Sequence, residues 1–323
     1  MTDQLENSYD VVVVGGGAAG LNGALMLARS RRSVAVIDSG APPRNAPNAL
    51  GVHGLLAREG VSPAELLERG RSEVRGYGGH VVNGEVADAA REGDGFTVTL
   101  VDGKSVRARR LLVTTGLVDQ LPEIPGLRER WGRDVLHCPY CHGWEVRDQA
   151  IGVLATGPMS VHQALLFRQL SGDVTYFTHQ SAGPDAEQAE QLAARGIRVV
   201  TGAVAAVEVA DDRLVGVRLD DGTVVRRDAL SVAPRLVARA GFMAGLGLQS
   251  VDHPSGVGEY VPADPFGRTE AAGVWVAGNV SDLAAQVGAA AAGGAVAAAA
   301  INMDLIAEET RQAVAAFRSA ESR

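Results

Sequence analysis

The chain of 323 residues has two cysteines, and they stand together as Cys138-Pro139-Tyr140-Cys141, followed at once by His142-Gly143-Trp144-Glu145. Two thiols at this spacing can close a disulfide and reopen it, so the pair reads as a redox dithiol. Three other readings compete. A structural zinc site needs four well-spread ligands, and only His137 and His142 could complete this set; ligands packed so closely in sequence cannot wrap a tetrahedral ion, so no metal is expected. Cys138 to His142 also fits the C-x-x-C-H string of c-type haem attachment. That chemistry belongs outside the cytoplasm, and Met1-Thr2-Asp3-Gln4-Leu5-Glu6 has neither the basic start nor the apolar stretch of an export signal. The third reading is a pair of buried cysteines without a task.

Other segments must position such a pair. Tyr9 to Val14 is an apolar, β-branched run, followed by Gly15-Gly16-Gly17-Ala18-Ala19-Gly20, a helical pattern from Leu21 to about Ser30, and a strand Val34 to Ile37 ending in Asp38. This is a G-x-G-x-x-G fingerprint in the context it requires. Gly15 permits the tight turn, Gly17 lets the backbone approach a pyrophosphate, Gly20 lets helix approach strand, and Asp38 can accept from ribose hydroxyls. Farther on, Phe96 to Leu100 and Ser105 to Val113 form a hairpin through Asp102-Gly103, closed by Thr114-Thr115-Gly116. The proline-bearing segment from Leu121 to Gly126 then crosses to a second α/β unit. That unit has strands at Ala150 to Thr156, Val174 to Phe177 and Ile197 to Val200, a helix at Val161 to Leu170, and a hairpin at Val215 to Val225. After a change of composition near Ala233 to Gly247, a strand from Gly273 to Asn279 leads into an Ala/Gly helix.

A net charge of -8, with no basic run, argues against nucleic acid or an anionic membrane as a partner. From Ala284 to Ile301 no residue is charged, which approaches the length of a membrane span. This stretch is mostly Ala and Gly, so it reads as a buried, close-packed helix that a charged amphipathic helix follows, with the run from Ala307 to Arg323 as a solvated helix end. A reducing cytoplasm is the expected compartment, where C-x-x-C is more often catalytic than structural.

The layout resembles the low-molecular-weight thioredoxin reductase group of FAD-dependent disulfide oxidoreductases, through Gly15 to Gly20 with Asp38, the central C-x-x-C, and the closing Gly278-Asn279 and Gln286-Val287. The resemblance implies an α/β fold of two Rossmann-like three-layer nucleotide-binding domains, the second inserted into the first. Residues 1–117 and 237–323 would form the FAD-binding domain, and 118–236 the inserted, NADPH-domain-like unit carrying the cysteines. It implies that Gly15, Gly17, Ala18, Ala19, Gly20, Asp38 and Ser39 hold the ADP part of FAD, and that Gly116, Gly278, Asn279, Gln286 and Val287 contact the rest. Arg44 would neutralise the pyrophosphate, Asn45 and His53 would face the isoalloxazine or the substrate, and Tyr140 and Trp144 would stack on flavin or line the pocket. A symmetric homodimer is also implied.

Departures from that group are as informative. Where thioredoxin reductases carry a second G-x-G-x-x-A and an arginine pair for NADPH, this chain has Ala155-Thr156-Gly157-Pro158-Met159-Ser160 and, after Tyr176-Phe177, Thr178-His179-Gln180. A 2'-phosphate would find no charge-assisted partner there. Beside the second cysteine, an aspartate is replaced by His142. The block Cys138 to Glu145, with Pro43-Arg44-Asn45 and His53-Gly54, is similar to the dithiol oxidases of gliotoxin and holomycin biosynthesis. That resemblance implies closure of a disulfide within a small-molecule dithiol, with O2 taking the electrons and leaving as H2O2. Cys138 would be the interchange sulfur and Cys141 the one facing the flavin, with His142, or in reserve His137, as proton acceptor. A reductase driven by NADPH or ferredoxin, and a non-catalytic redox sensor, stay open as alternatives.

Overall fold

The computed structural model describes residues 3–41 and 51–321. Strand β1 (Ser8–Val14), helix α1 (Ala18–Arg29), β2 (Val34–Asp38), α2 (Pro63–Gly76) and β3 (His80–Asn83) follow in order, then a meander of β4 (Val86–Glu92), β5 (Gly95–Leu100) and β6 (Ser105–Val113). The first crossing is β7 (Leu117–Gln120). Beyond it come α3 (Leu127–Arg130), β8 (Val135–Leu136), α4 (Pro139–His142), β9 (Ile151–Leu154), α5 (Ser160–Phe167), β10 (Val174–Phe177), α6 (Ala186–Ala194) and β11 (Arg198–Val200). Next are β12 (Val204–Ala210), β13 (Arg213–Leu219), β14 (Val224–Arg226) and β15 (Ala229–Val232). The chain returns through β16 (Arg235–Ala238), β17 (Val251–Asp252), β18 (Gly258–Tyr260), β19 (Val274–Val276) and α7 (Val287–Glu321).

The fold is α/β with two nucleotide-binding-type units. In the first sheet the order is β3-β2-β1-β6-β5-β4, with β19 also on β6. On the edge away from β1, strand β6 serves two partners along its length: Ala108 to Ser105 pair antiparallel with β5, and Leu111 to Val113 pair parallel with β19. The second sheet, β11-β10-β9-β15-β8, is parallel throughout. Parallel strands with both faces covered read as unbroken apolar runs. Val11 to Val14 and Ile151 to Leu154 are such runs and are buried. Because β7 pairs antiparallel with β16, the outgoing and returning crossings lie side by side.

Helix α7 differs from the expected buried helix followed by a separate one. It is continuous for 35 residues, since no proline interrupts it and good helix formers follow Gly294. Only Gly294, Ala297, Ala298, Ile301 and Leu305 are buried; by length and composition the helix could cross a membrane, but that face packs on the core. Its middle turns are tied down by charge. Arg109 bonds Asp10, Glu308 and Glu309, Arg110 bonds Asp304 and Glu308, and Arg32 bonds Glu309. The hydrogen bonds from Arg32 and Arg109 hold the Glu309 carboxyl at about 2.

Helices α1 and α7 meet through small residues. A Cβ at Gly294 would strike the Ala19 carbonyl oxygen and lie 2.7 Å from its carbon, and one at Gly23 would lie 3.0 Å from the Gly294 oxygen. Asn22 Nδ2 donates to the Ala291 carbonyl at 2.7 Å across the same contact. Neither backbone can give way without moving the fingerprint helix. Gly294→Val is therefore expected to destabilise the protein by roughly 1–3 kcal/mol, read as a lower urea midpoint with unchanged slope.

Candidate active site

The fingerprint loop is shaped by backbone contacts that only glycine allows. Gly15 sits at φ 103°, where a Cβ would come within 2.6 Å of the Thr114 carbonyl oxygen. Gly20 lies against the Gly15 carbonyl with no room for a side chain. Thr114 locks the arrangement by donating its hydroxyl to the Gly15 carbonyl at 2.8 Å. Gly17 is different: among the described residues nothing lies within 4 Å of where its Cβ would stand. It is the N-cap of α1 and brings no capping side chain, and no acid sits in the first turn. The first amides of α1 and its positive dipole end thus face open space, the arrangement that receives a pyrophosphate. Asp38, at the tip of β2, packs against Gly16 and accepts from the Gly40 amide at 2.7 Å.

At the other end of the chain, Gly278 turns at φ 73°, where a Cβ would lie 2.9 Å from that of Ala19. The Asn279 amide nitrogen donates to the carbonyls of Asp282 and Ala285, each at 2.9 Å. That donor shapes the loop into α7, a task its sequence position did not reveal. The Gln286 carbonyl then accepts from Ala290 at 2.8 Å, so α7 opens at Gln286-Val287.

Strand β8 delivers His137 and Cys138 at the C-terminal edge of the second sheet, where the His137 carbonyl accepts from the buried Gln163 amide at 2.7 Å. Cys138 caps α4, Pro139 occupies its first position, and the Cys138 carbonyl accepts from the amides of Cys141 (3.2 Å) and His142 (3.1 Å). Cys138 and Cys141 are joined in a disulfide with Cα atoms 5.2 Å apart. Gly143 follows because a side chain there would strike the Pro139 carbonyl and Leu170.

One cavity of about 1280 Å³ joins these pieces. Its walls include Gly15, Gly17, Ala18, Ala19, Asp38, Ser39, His53, Gly116, Gly278, Asn279, Gln286 and Val287 together with His137, Cys138, Cys141 and His142. Gly20 stands behind the wall, packing α1 on Gly15. Arg44 and Asn45 lie outside the described residues. Tyr140 and Trp144 are not in the wall; they are 68% and 65% exposed, and the Arg147 guanidinium covers the Trp144 ring at 4.2 Å. Arg239 and Phe242 were not anticipated as lining residues. Arg239 is drawn in by the return crossing, its amide donating to the Gly116 carbonyl at 3.1 Å and its carbonyl accepting from Thr115 Oγ1 at 2.6 Å. The change of composition near Ala233 was the only sequence cue to it. The size of the cavity, the bare N-terminus of α1 and the open face of Gly17 suit an extended dinucleotide.

Electrostatics single out His142. Burial pushes its ring below the ordinary histidine value; the nearby Glu145 carboxylate opposes this and His53 adds to it. The net direction is down, so the neutral imidazole, a proton acceptor, is favoured beside the disulfide. His53 Nδ1 donates to Glu59 at 2.6 Å, and its Nε2 lies 3.6 Å from Glu145.

The inserted unit's own loop turns inward. Ser160 Oγ accepts from the amides of Thr156 (3.1 Å) and Gly157 (3.2 Å), and Thr156 donates to the Ala233 carbonyl at 2.7 Å. His179, where a cationic pair would stand, sits at φ 50° with Nδ1 accepting from the Val204 amide at 2.9 Å.

Comparison with known proteins adds to this geometry. The sequence profile of the pyridine nucleotide-disulphide oxidoreductases matches residues 9–305. Thioredoxin reductase tcpT of Claviceps purpurea is 32% identical over 94% of this chain and 96% of its own. Thioredoxin reductase sirT of Leptosphaeria maculans is 30% identical over 92% and 94%. Among solved structures, HlmI is 46% identical with TM-score 0.90, covering 98% of both chains. An oxidoreductase from Agrobacterium tumefaciens is 36% identical with TM-score 0.86, covering 93% of this chain and 99% of its own.

The open face of Gly17 makes a direct test. Since none of the described residues lies within 4 Å of a Cβ there, Gly17→Val should leave the far-UV circular dichroism unchanged while the purified protein loses its bound dinucleotide, measured as absorbance per mole of chain. Full retention would remove this loop from the binding site.

Proposed function

Because the chain belongs to the pyridine nucleotide-disulphide oxidoreductases, as a thioredoxin reductase-like flavoprotein that uses FAD, we propose that it is a dithiol oxidase, closing an intramolecular disulfide in a small-molecule dithiol with O2 as acceptor and H2O2 as by-product. The observation that carries this reading is the sharing of one cavity by the Cys138–Cys141 disulfide, His142 and the fingerprint loop. It is supported by the 46% identity to HlmI and by the inward-turned loop at Ser160, whose hydroxyl occupies amides that a nicotinamide dinucleotide would need. The overall reaction, R(SH)2 + O2 → RS2 + H2O2, balances two electrons and two protons.

The fingerprint residues Gly15 to Gly20, with Asp38 and Ser39, would hold the ADP part of FAD. Gly116, Gly278, Asn279, Gln286 and Val287 would hold the remainder. When bound, FAD accepts the two electrons leaving the cysteine pair and passes them to oxygen. The chain's own residues do the rest. His142 takes a proton from a substrate thiol, because only the thiolate attacks a disulfide. That thiolate bonds to the Cys138 sulfur and the Cys138–Cys141 bond breaks, leaving Cys141 as thiolate. The second substrate thiol, deprotonated by His142 or His137, then displaces Cys138 and closes the product disulfide. The N-terminus of α7 at Gln286-Val287 would set partial positive charge against negative charge in the cavity. We place the enzyme in the cytoplasm as a homodimer.

A second reading is a reductase of a protein disulfide, driven by NADPH or ferredoxin. The exposed Tyr140 and Trp144 beside the cysteines favour it, since they could meet a protein partner.

Oxygen uptake and peroxide formation with a small dithiol, measured beside anaerobic bleaching of the flavin by NADPH, separate the two. The oxidase consumes oxygen and is not bleached by NADPH; rapid bleaching by NADPH with negligible dithiol-driven oxygen uptake would establish the reductase. In the oxidase, Cys141→Ser should abolish anaerobic bleaching by dithiol. His142→Ala should slow it by roughly 10²–10⁴-fold, and the acid limb of the wild-type pH profile should lie below the ordinary histidine value, as the lowered ring requires.

A further inference from the structure

The sheet holds the approach to Cys138 only lightly. Strand β8 has two residues, Val135 and Leu136, at the edge of its sheet, and its ladder with β15 ends where Leu136 meets Ser231. What meets the chain next is a side chain. Gln163, on α5, donates from Nε2 to the His137 carbonyl at 2.7 Å, and Ser231 Oγ reaches the same oxygen at a longer 3.4 Å. Both residues are buried, Gln163 at 7% exposure. Its neighbours along α5, Val161, Ala164 and Phe167, share an apolar core cluster with Leu136. The other amide atom of Gln163, Oε1, is buried and makes no hydrogen bond among the described residues. A buried amide left half satisfied costs more than an apolar side chain of the same shape. Packing therefore gives no reason for a glutamine here, whereas the bond to His137 does.

We propose that Gln163 is a positioning residue for Cys138, fixing the peptide that carries its sulfur so that the cysteine pair can close. The oxygen that Gln163 holds belongs to the same planar unit as the Cys138 nitrogen and Cα. With that plane fixed, only the Cys138 φ, at -89°, and χ1 place the sulfur. His137 and Cys138 stand in the cavity wall and Gln163 does not, so it acts from behind, through the main chain. While the disulfide is closed, the S–S bond itself holds the two cysteines together. Once it has opened that constraint is gone, and the Gln163 bond remains on the residue that must meet the Cys141 sulfur again. A bond that narrows the open form raises the effective concentration of one sulfur about the other, and so favours the closed pair. The proposal holds for either direction of electron flow, because the oxidase and the reductase both cycle the pair between its two states.

The test is the equilibrium of the FAD-loaded protein with mixtures of glutathione and its disulfide, without oxygen. Closing the pair removes two electrons and two protons from the Cys138 and Cys141 thiols, and glutathione disulfide takes them to become two glutathiones. Acid quenching, alkylation and mass spectrometry of the cysteine peptide count the open and closed forms. Gln163→Leu, which keeps the bulk and removes the donor, should lower the equilibrium constant for closing about fivefold, the worth of one neutral hydrogen bond. Gln163→Glu can donate from its carboxyl only while protonated. It should match the wild type at low pH and fall away from it as the carboxyl ionises. A role in stability alone would move the urea midpoint and leave this equilibrium where it was. An unchanged constant in Gln163→Leu, or a ratio of Gln163→Glu to wild type that does not change with pH, overturns the proposal; the second arm decides should Gln163→Leu fail to fold. If the constants shift as expected while the wild type takes up no oxygen with small dithiols, the positioning stands and the oxidase reading falls.

Discussion

The antiparallel contact between β7 and β16, Leu117 to Gln120 against Ala238 to Arg235, sets the geometry on which the site depends. The cysteine turn is built on one parallel sheet and the fingerprint loop on another. Parallel strands present loops and helix N-termini at their carboxyl ends, so each sheet makes half of a site there. The two crossings decide whether those ends look at each other. Short strands would be a weak coupling alone, but the return crossing is pinned elsewhere. Thr115 and Gly116 exchange bonds with the Arg239 backbone, and the Arg235 guanidinium bonds both Asp252 and Glu259 in the same small sheet.

The balance at His142 follows from that placement. Facing water, the ring would feel little from either Glu145 or His53, because solvent screens such pairs. Enclosed between the units it loses hydration, which disfavours its charge, and the same enclosure strengthens the one carboxylate that opposes the loss. Desolvation is the larger of the two. The result suits thiol chemistry, in which the acceptor must be unprotonated when the substrate arrives and supported once it has taken a proton.

Much of this was legible in the chain. The fingerprint was readable because its geometry is local: Gly15 and Gly20 answer to close backbone contacts around one strand-turn-helix unit, and the Cβ position of Gly17 meets none of the described residues. The cysteine turn was readable for the same reason. What escaped was long-range or conformational. Arg109 and Arg110 bond carboxylates about two hundred positions away on α7, which nothing local announces. Helix α2 carries a local signature, Ser62 accepting from the Glu65 amide with Pro63 at the first position, yet it stands apart from the expected elements because it is a mostly polar helix of which only Val74 is buried. The single long helix was divided in two because its composition changes near Asp304, although propensity does not. Tyr140 and Trp144 were placed near the cofactor by adjacency to the motif, but a helical turn that puts Cys138, Cys141 and His142 on the cavity wall sends positions between and beyond them outward.

The inserted unit shows how a binding loop can be retained as architecture. Its strand-loop-helix connection from β9 to α5 keeps the shape of a nucleotide loop, and Gly157 still has open space where its Cβ would stand. The donors that would meet a phosphate are consumed within the protein: Ser160 takes two amides, and Thr156 is tied to the strand next door through Ala233. An incoming pyrophosphate would have to displace these bonds and would gain no guanidinium in return, since His179 is turned inward onto the Val204 amide. Taking these amides would cost bonds already made, which the bare N-terminus of α1 does not have to give up. The unit holds the Cys138–Cys141 disulfide and His142 against the fingerprint cavity.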